Sequence, residues 1–289
     1  MGEQIDPTPT EIISVMQCSH ARHAWHNYRA IYAHGLWSWM RWRACSSSYL
    51  FASYNQVVVP GRVSVIIPSY NRYELLNHCI KSVLANTYKN IEIFVVNDCS
   101  TDQRYYSGQL EKYEKTTIIH LPINMRTKYN VTSAQGMTRN HGLERAKGEW
   151  IAFLDDDDFF LENKIEKQIN HMISTNFKFS STNMFLINHN SLTLDTLDYT
   201  IKGTYFETDI PKVFNREMID MTNYINNSSI MIHRSIVNKT GKLHLIPRGE
   251  EDWDYWKRVL EYTDCIYIDE PLVYYTSGVN NSNPVKHYS

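Results

Sequence analysis

Gly148-Glu149-Trp150-Ile151-Ala152-Phe153-Leu154-Asp155-Asp156-Asp157-Asp158 is the stretch that decides the architecture of this chain. The apolar segment Trp150–Leu154 has the length of one short buried strand, and four carboxylates follow directly at its end. Such a strand delivers concentrated negative charge to the carboxyl edge of a sheet, where α/β proteins bind ligands. Read as a continuation of the strand, the run alternates faces, so Asp155 and Asp157 project the same way. Carboxylates this close repel one another unless a cation lies between them, and hard divalent ions such as Mg2+ or Mn2+ take all-oxygen ligands. The expectation is a metal-bridged phosphate ligand. The competing reading is an acidic, solvated loop or helix start.

Working outward, the chain from Arg62 onward alternates strand and helix signals. Val63–Ile67 reads as a buried strand stopping at Pro68, and Glu74–Ala85 carries a helical apolar stripe through Leu75, Leu76, Cys79, Ile80, Val83 and Leu84. Ile91–Val96 reads as a second strand ending at Asn97-Asp98, and Thr117–Leu121 as a third. A helix is expected from about Gln135 to Ala146, leading into the strand that carries the aspartates. Strands separated by crossover helices imply a mainly parallel, Rossmann-like sheet, with functional residues in the loops at the strands' carboxyl ends. Tyr70, Asp98 and the aspartate run all fall there.

Composition bounds the partners. The chain has 289 residues, 43% of them apolar, enough for one large core or two modest lobes. A formal net charge of -2 gives no global attraction for nucleic acid. No stretch approaches the roughly 20 apolar residues that span a bilayer, and the polar opening lacks signal-peptide regions. The five cysteines are odd in number and form no CxxC pair, which fits reduced thiols and a cytoplasmic location. Residues 1–60 hold Trp25, Trp37, Trp39 and Trp42 among several arginines and no lysine, and look mostly helical. Such helices cap a core more often than they lie on a membrane surface or a partner protein, but both contacts stay open, including membrane association on the cytoplasmic side.

Four segments stand in order: Val63–Arg72 with Pro68-Ser69-Tyr70-Asn71-Arg72, Val95–Asp102 with Asn97-Asp98, Gly136–Gly142 with Arg139, and Gly148–Asp158. A fifth, Gly249-Glu250-Glu251-Asp252-Trp253-Asp254-Tyr255-Trp256, follows later. Together they resemble the family 2 inverting glycosyltransferases of the GT-A fold, over residues 62 to roughly 276. The resemblance divides the chain into a helical N-terminal extension (1–60), a nucleotide-sugar-binding half (61–160) and an acceptor-binding half with a C-terminal tail (161–289).

The resemblance also assigns roles. Pro68 and Tyr70 would lie beside the nucleotide base, with Asn71 among the donor-binding residues. Asp98 would bond the base or ribose, and Arg139 would support the diphosphate or the metal-binding carboxylates. Asp155 and Asp157 match the outer positions of an Asp-x-Asp signature. Both would hold Mn2+ or Mg2+, and Asp156 would reach the ribose, although the run leaves the assignment open by one place toward Asp158. Asp252 would be the general base, ranked above Glu251 by the motif match; at a helix start its basicity should be depressed. The implied partners are a nucleotide-sugar donor, UDP favoured, and a glycan acceptor. Two departures stand out: the longer basic link Met125–Gln135, and the lack of a Gln-x-x-Arg-Trp motif or membrane helices at the C-terminal end, which suits a non-processive enzyme. The segment Tyr274–Gly278 could fold back over the donor, and His233 could line the cleft. A sugar nucleotidylyltransferase would need a glycine in the loop after the first strand, where none stands. A non-catalytic nucleotide-sugar or glycan-binding protein would keep the fold and lose a carboxylate, and none of the expected ones is missing; an Mg2+-dependent phosphatase would need a nucleophile context that nothing here supplies.

Overall fold

The computed structural model describes residues 57–207, 210–247 and 249–276. The helical extension expected over residues 1–60 falls outside them as far as residue 56, as does the tail after Thr276. One sheet organises everything described. Its strands are β1 (Val59–Ser69), β2 (Ile91–Asn97), β3 (Thr116–His120), β4 (Gly148–Phe153), β5 (Phe159–Phe160), β6 (Phe179–Leu192), β7 (Leu197–Thr204), β8 (Val213–Phe214), β9 (Met231–His233) and β10 (Cys265–Thr276). The order is β3-β2-β1-β4-β9-β6-β10-β5, with β7 on β6 and β8 on β10.

The first four strands in that order are parallel, as the alternation of strand and helix requires. Past β4 the sheet is mixed: β9 runs antiparallel to β4 and β6, while β10 is parallel to β6. The expected parallel sheet therefore describes the half that carries the aspartates, and the other half departs from it. Strand β1 also continues through Pro68 to Ser69, beyond the expected stop. Its pairing with β4 ends at Ile66, so Pro68 lies where only β2 flanks the strand.

Side-chain alternation along β1 divides the core in two. Val63, Val65 and Ile67 face α1 (Tyr73–Leu84), whose Leu76, Ile80 and Val83 form the predicted stripe. Ile66 faces the opposite layer. The short α2 (Met125–Tyr129) and α3 (Gln135–Leu143) precede β4, and α4 (Lys164–Thr175) follows it. Beyond come α5 (Arg216–Met221), α6 (Arg234–Thr240) and α7 (Glu251–Val259). Ile165 and Ile169 of α4 join the α1 side, whereas Leu143, Trp256 and Val259 cover Ile66, Val96, Ile151 and Phe153.

Helix α3 sits unusually close to the sheet. A Cβ on Gly142 would stand 2.6 Å from Ile66 Cγ2 and 3.2 Å from Val96 Cγ2. The missing side chain lets the helix settle far enough to bury Arg139 one turn earlier. Gly142→Ala should therefore overpack this contact and lower unfolding stability by about 1–3 kcal/mol in a urea titration.

Candidate active site

β1 is flanked by β2 on one side and β4 on the other, so the chain leaves their carboxyl ends in diverging directions and opens a crevice between them. A cavity of about 300 Å3 occupies that crevice. Pro68 and Tyr70 line it from the end of β1, Asp98 from the end of β2, and Asp155, Asp156 and Asp157 from the end of β4. Arg139 of α3 also faces it. Of the donor-side residues read from the sequence, only Asn71 is outside the lining. Asn71 takes a left-handed φ of 54°, and its Oδ1 accepts the Thr101 N–H at 2.8 Å, which ties the loop after β1 to the loop after β2.

The four aspartates do not continue the strand. β4 ends at Phe153, and the Asp158 N–H turns back to the Asp155 carbonyl at 3.1 Å. The alternation expected for Asp155 and Asp157 is replaced by a turn, because repelling carboxylates reach separate partners more easily from a turn than from an extended strand. Asp155 pairs with Arg139, whose side chain is 3% exposed. Asp156 accepts Ser69 Oγ at 2.7 Å and Arg72 Nη1 at 3.0 Å. The same Arg72 nitrogen stands 2.7 Å from Asp157 Oδ2. Asp158 faces away from the cavity, buried, where it accepts the Ser228 hydroxyl and the Thr276 N–H.

The network behind these contacts is continuous. Ser69 gives its proton to Asp156, so Tyr105 donates to Ser69 across 2.6 Å while accepting the Arg72 backbone N–H at 3.0 Å. Burial and the nearby Asp156 push the Tyr105 phenol up to about 12, which keeps it a donor. Thr276 Oγ1 donates to the Asp157 carbonyl, and Ser228 Oγ accepts the Asp155 N–H at 3.1 Å. The carboxyl end of β10 is thereby stitched to the aspartate turn, and Tyr275 joins the cavity wall.

Electrostatics separates the carboxylates. Burial, then the Asp156 charge, raises Asp157 to about 7 against the pull of Arg72. Asp98 is also raised by burial, opposed by the Met125 N–H that it accepts at 2.8 Å. Asp98 thus anchors the start of α2, the basic link flagged in the sequence, and Arg126 from that helix reaches the cavity.

Asp252 lies in the first turn of α7, outside the cavity lining, with Glu250 at the N-cap. The expected depression by the helix end is overturned: burial raises Asp252 to about 6, outweighing the Trp253 N–H and the Arg139 charge. Its neighbour Glu251 is buried and committed, accepting the Gly136 N–H at 3.4 Å and the Ser133 hydroxyl at 3.2 Å. Gly136 permits this approach, since a Cβ there would meet Glu251 Cγ at 2.9 Å. His233 serves a local role as the N-cap of α6, with its ring also against Glu149. Arg72, Ser69, Tyr105 and Tyr275 were not singled out as site residues from sequence. Ser69 and Arg72 belong to the Pro68–Arg72 motif and Tyr275 to the Tyr274–Gly278 segment, whereas nothing in the local pattern marks Tyr105.

Asp155 and Asp157 offer oxygen donors to the same cavity, a chemistry that suits a hard divalent cation. Among the described residues no three His, Cys, Asp or Glu side chains converge on one point. A cation here would take one or two carboxylates and complete its shell with phosphate and water oxygens, as Mg2+ commonly does.

The family model described as glycosyl transferase family 2 matches residues 64–225. The chain belongs to this family. TuaG of Bacillus subtilis, a family relative, is 37% identical over 224 residues, covering 76% of this chain and 80% of that protein. WfaP of Escherichia coli, named a UDP-Glc:alpha-D-GlcNAc-diphosphoundecaprenol beta-1,3-glucosyltransferase, is 30% identical over 198 residues, with 68% and 70% coverage. Three Rickettsia glycosyltransferases match at 34–36% identity but are longer, and the chain spans only 21–24% of their length. In three dimensions the family 2 chain resembles residues 1–349 of S. aureus TarS, with a TM-score of 0.58 and 18% identity over 74% of this chain and 60% of that fragment. The architecture is that GT-A fold. Among the described residues no helix is long and apolar enough to cross a membrane.

Asp158→Ala would leave the Thr276 N–H and the Ser228 hydroxyl without their buried acceptor. It should lower unfolding stability by about 1–3 kcal/mol, read from denaturant midpoints.

Proposed function

We propose that this chain transfers a glycosyl group, with inversion, from a nucleoside-diphosphate sugar to a hydroxyl of a glycan acceptor. The observation that carries this reading is the shared cavity: an exposed aromatic ring at Tyr70, a carboxylate at Asp98, and the Asp155–Asp157 rim with two arginines. This set offers chemistry complementary to a base, a ribose and a diphosphate. UDP is the favoured nucleotide, because WfaP is named for UDP-Glc and TarS has been crystallised with UDP-GlcNAc and with UDP. The named WfaP acceptor, a lipid-diphosphate-linked sugar, makes a lipid-linked glycan a reasonable acceptor to test, and it would bring the chain to a membrane surface.

Asp155 and Asp157 would hold Mn2+ or Mg2+, which when bound supplies positive charge to the departing diphosphate. The remaining work belongs to the protein. Tyr70 offers its ring face to the base, with Pro68 beside it, and Asp98 and Asp156 present acceptor oxygens for base or ribose hydroxyls. Arg139 stays buried and charged. Its burial opposes that charge, but Asp155, Glu251 and Asp252 together outweigh the effect and raise the group's basicity. Its Nε, buried, has no hydrogen-bond partner within the protein.

Asp252 would accept the proton of the acceptor hydroxyl as that oxygen bonds the anomeric carbon. The bond from that carbon to the phosphate oxygen breaks in the same displacement, and its electron pair leaves on the diphosphate. A carboxylate near 6 is ionised at neutral pH yet more basic than an ordinary aspartate, which suits a general base.

Asp252→Asn should keep nucleotide affinity within about twofold and reduce transfer by about 100-fold or more, the usual scale for a general base. Full transfer by this variant would move the base elsewhere. The wild-type rate should rise with pH through about 6 and then level, because only the deprotonated carboxylate can take the proton. Asp157→Ala should instead abolish the Mn2+-dependent part of UDP binding in calorimetry.

A further inference from the structure

The Arg72 guanidinium is placed where a cation would be expected. A single nitrogen, Nη1, lies 3.0 Å from Asp156 Oδ1 and 2.7 Å from Asp157 Oδ2. It makes no fork-to-fork pair with either carboxylate; one positive point bridges two acids, as a bound ion does. We infer that Arg72 is a positioning residue that occupies the cation's place beside Asp157 until the nucleotide and metal arrive, and then turns to the diphosphate. This rests on the metal and donor assignments proposed above.

Three observations support the exchange. First, the backbone of Arg72 is pinned, its N–H donating to Tyr105 OH at 3.0 Å at the start of α1, while its side chain is 44% exposed. The guanidinium can pivot without disturbing the fold. Second, Arg139, the other arginine holding an aspartate of this turn, is 3% exposed and cannot follow it, so the two arginines are not equivalent. Third, both arginines face the cavity with Asp155 and Asp157, so a divalent ion at Asp157 would lie within a few ångströms of a like charge. Repulsion would then expel the Arg72 head, and the arriving diphosphate is the nearest new anion it can meet. Guanidinium donors recognise phosphate oxygens well.

The consequence is thermodynamic coupling. Metal alone must displace Arg72 with no compensation, whereas metal with nucleotide gives the guanidinium a new partner. Each ligand should therefore strengthen the other.

Calorimetry on the full chain tests this with Mn2+ alone, UDP alone, and Mn2+ in saturating UDP, for wild type, Arg72→Met and Arg72→Lys. In wild type, UDP should tighten Mn2+ binding about tenfold, within the usual range of site-to-site coupling. Arg72→Met should bind Mn2+ alone about tenfold more tightly, bind UDP more weakly, and show a coupling reduced by a similar factor. Arg72→Lys should resemble wild type, because one ammonium can bridge both carboxylates as Nη1 does. A merely structural role would lower the melting temperature without shifting the two affinities in opposite directions. Unchanged or weaker Mn2+ binding in Arg72→Met, or a lysine variant that matches the methionine one, overturns the inference alone. No Mn2+ binding by wild type in either condition overturns the metal assignment, and this inference with it.

Discussion

Four consecutive carboxylates at the end of one strand repel one another, and the surrounding structure is arranged to hold them apart. The chain meets this by sending each aspartate of the turn toward a distinct set of partners: Asp155 to Arg139, Asp156 to Ser69 and Arg72, Asp157 to Arg72, and Asp158 to Ser228 and Thr276. Those partners come from β1, the loop before α1, α3, the turn before β9, and β10. The acidic turn is thus a node at which both halves of the sheet meet. Cavity rim and fold closure share the same atoms.

The compensation is incomplete, and the incompleteness is useful. Asp158 is sealed inside with two donors, whereas Asp157 keeps a proton affinity near neutrality even with Arg72 beside it. A group held in that condition favours any further positive charge that can reach it. A parallel division operates on the other wall, where Glu251 secures the start of α3 and Asp252, one residue along, is left more basic than an ordinary aspartate. In both pairs of neighbours, one acid fastens the structure and the other keeps its charge available.

The link between β3 and α3 shows how a departure from the family pattern is accommodated. Asn124 caps α2 through the Thr127 N–H, and Asp98 accepts both the Met125 N–H and the Asn124 amide. The inserted residues become a small helix fixed to the end of β2, and Arg126 is brought to the cavity mouth. The crevice beside the end of β2 is therefore more basic than the motifs alone imply.

Much of this was readable in the sequence. The apolar run Trp150–Leu154, the stripe of α1 and the order of the motifs determine the parallel half of the sheet and the edge at which Tyr70, Asp98 and the aspartates gather, because buried strands and amphipathic helices carry their periodicity in residue spacing. Local periodicity cannot say where a strand gives way to a turn under charge repulsion. It therefore did not foresee that a turn, and not a continued strand, brings Asp155 and Asp157 to one cavity, and it expected the helix end to depress Asp252. Burial, which raises Asp252 and Asp157, is produced by the packed fold and leaves no mark in the local sequence. The same holds for Tyr105, buried 36 residues from Ser69. The amino-acid order alone determined the family, the sheet edge and the set of acids. Only the tertiary structure decided which acid is fastened, which lines the cavity, and which arginine stands against each, since those outcomes depend on distances between segments that the chain brings together only on folding.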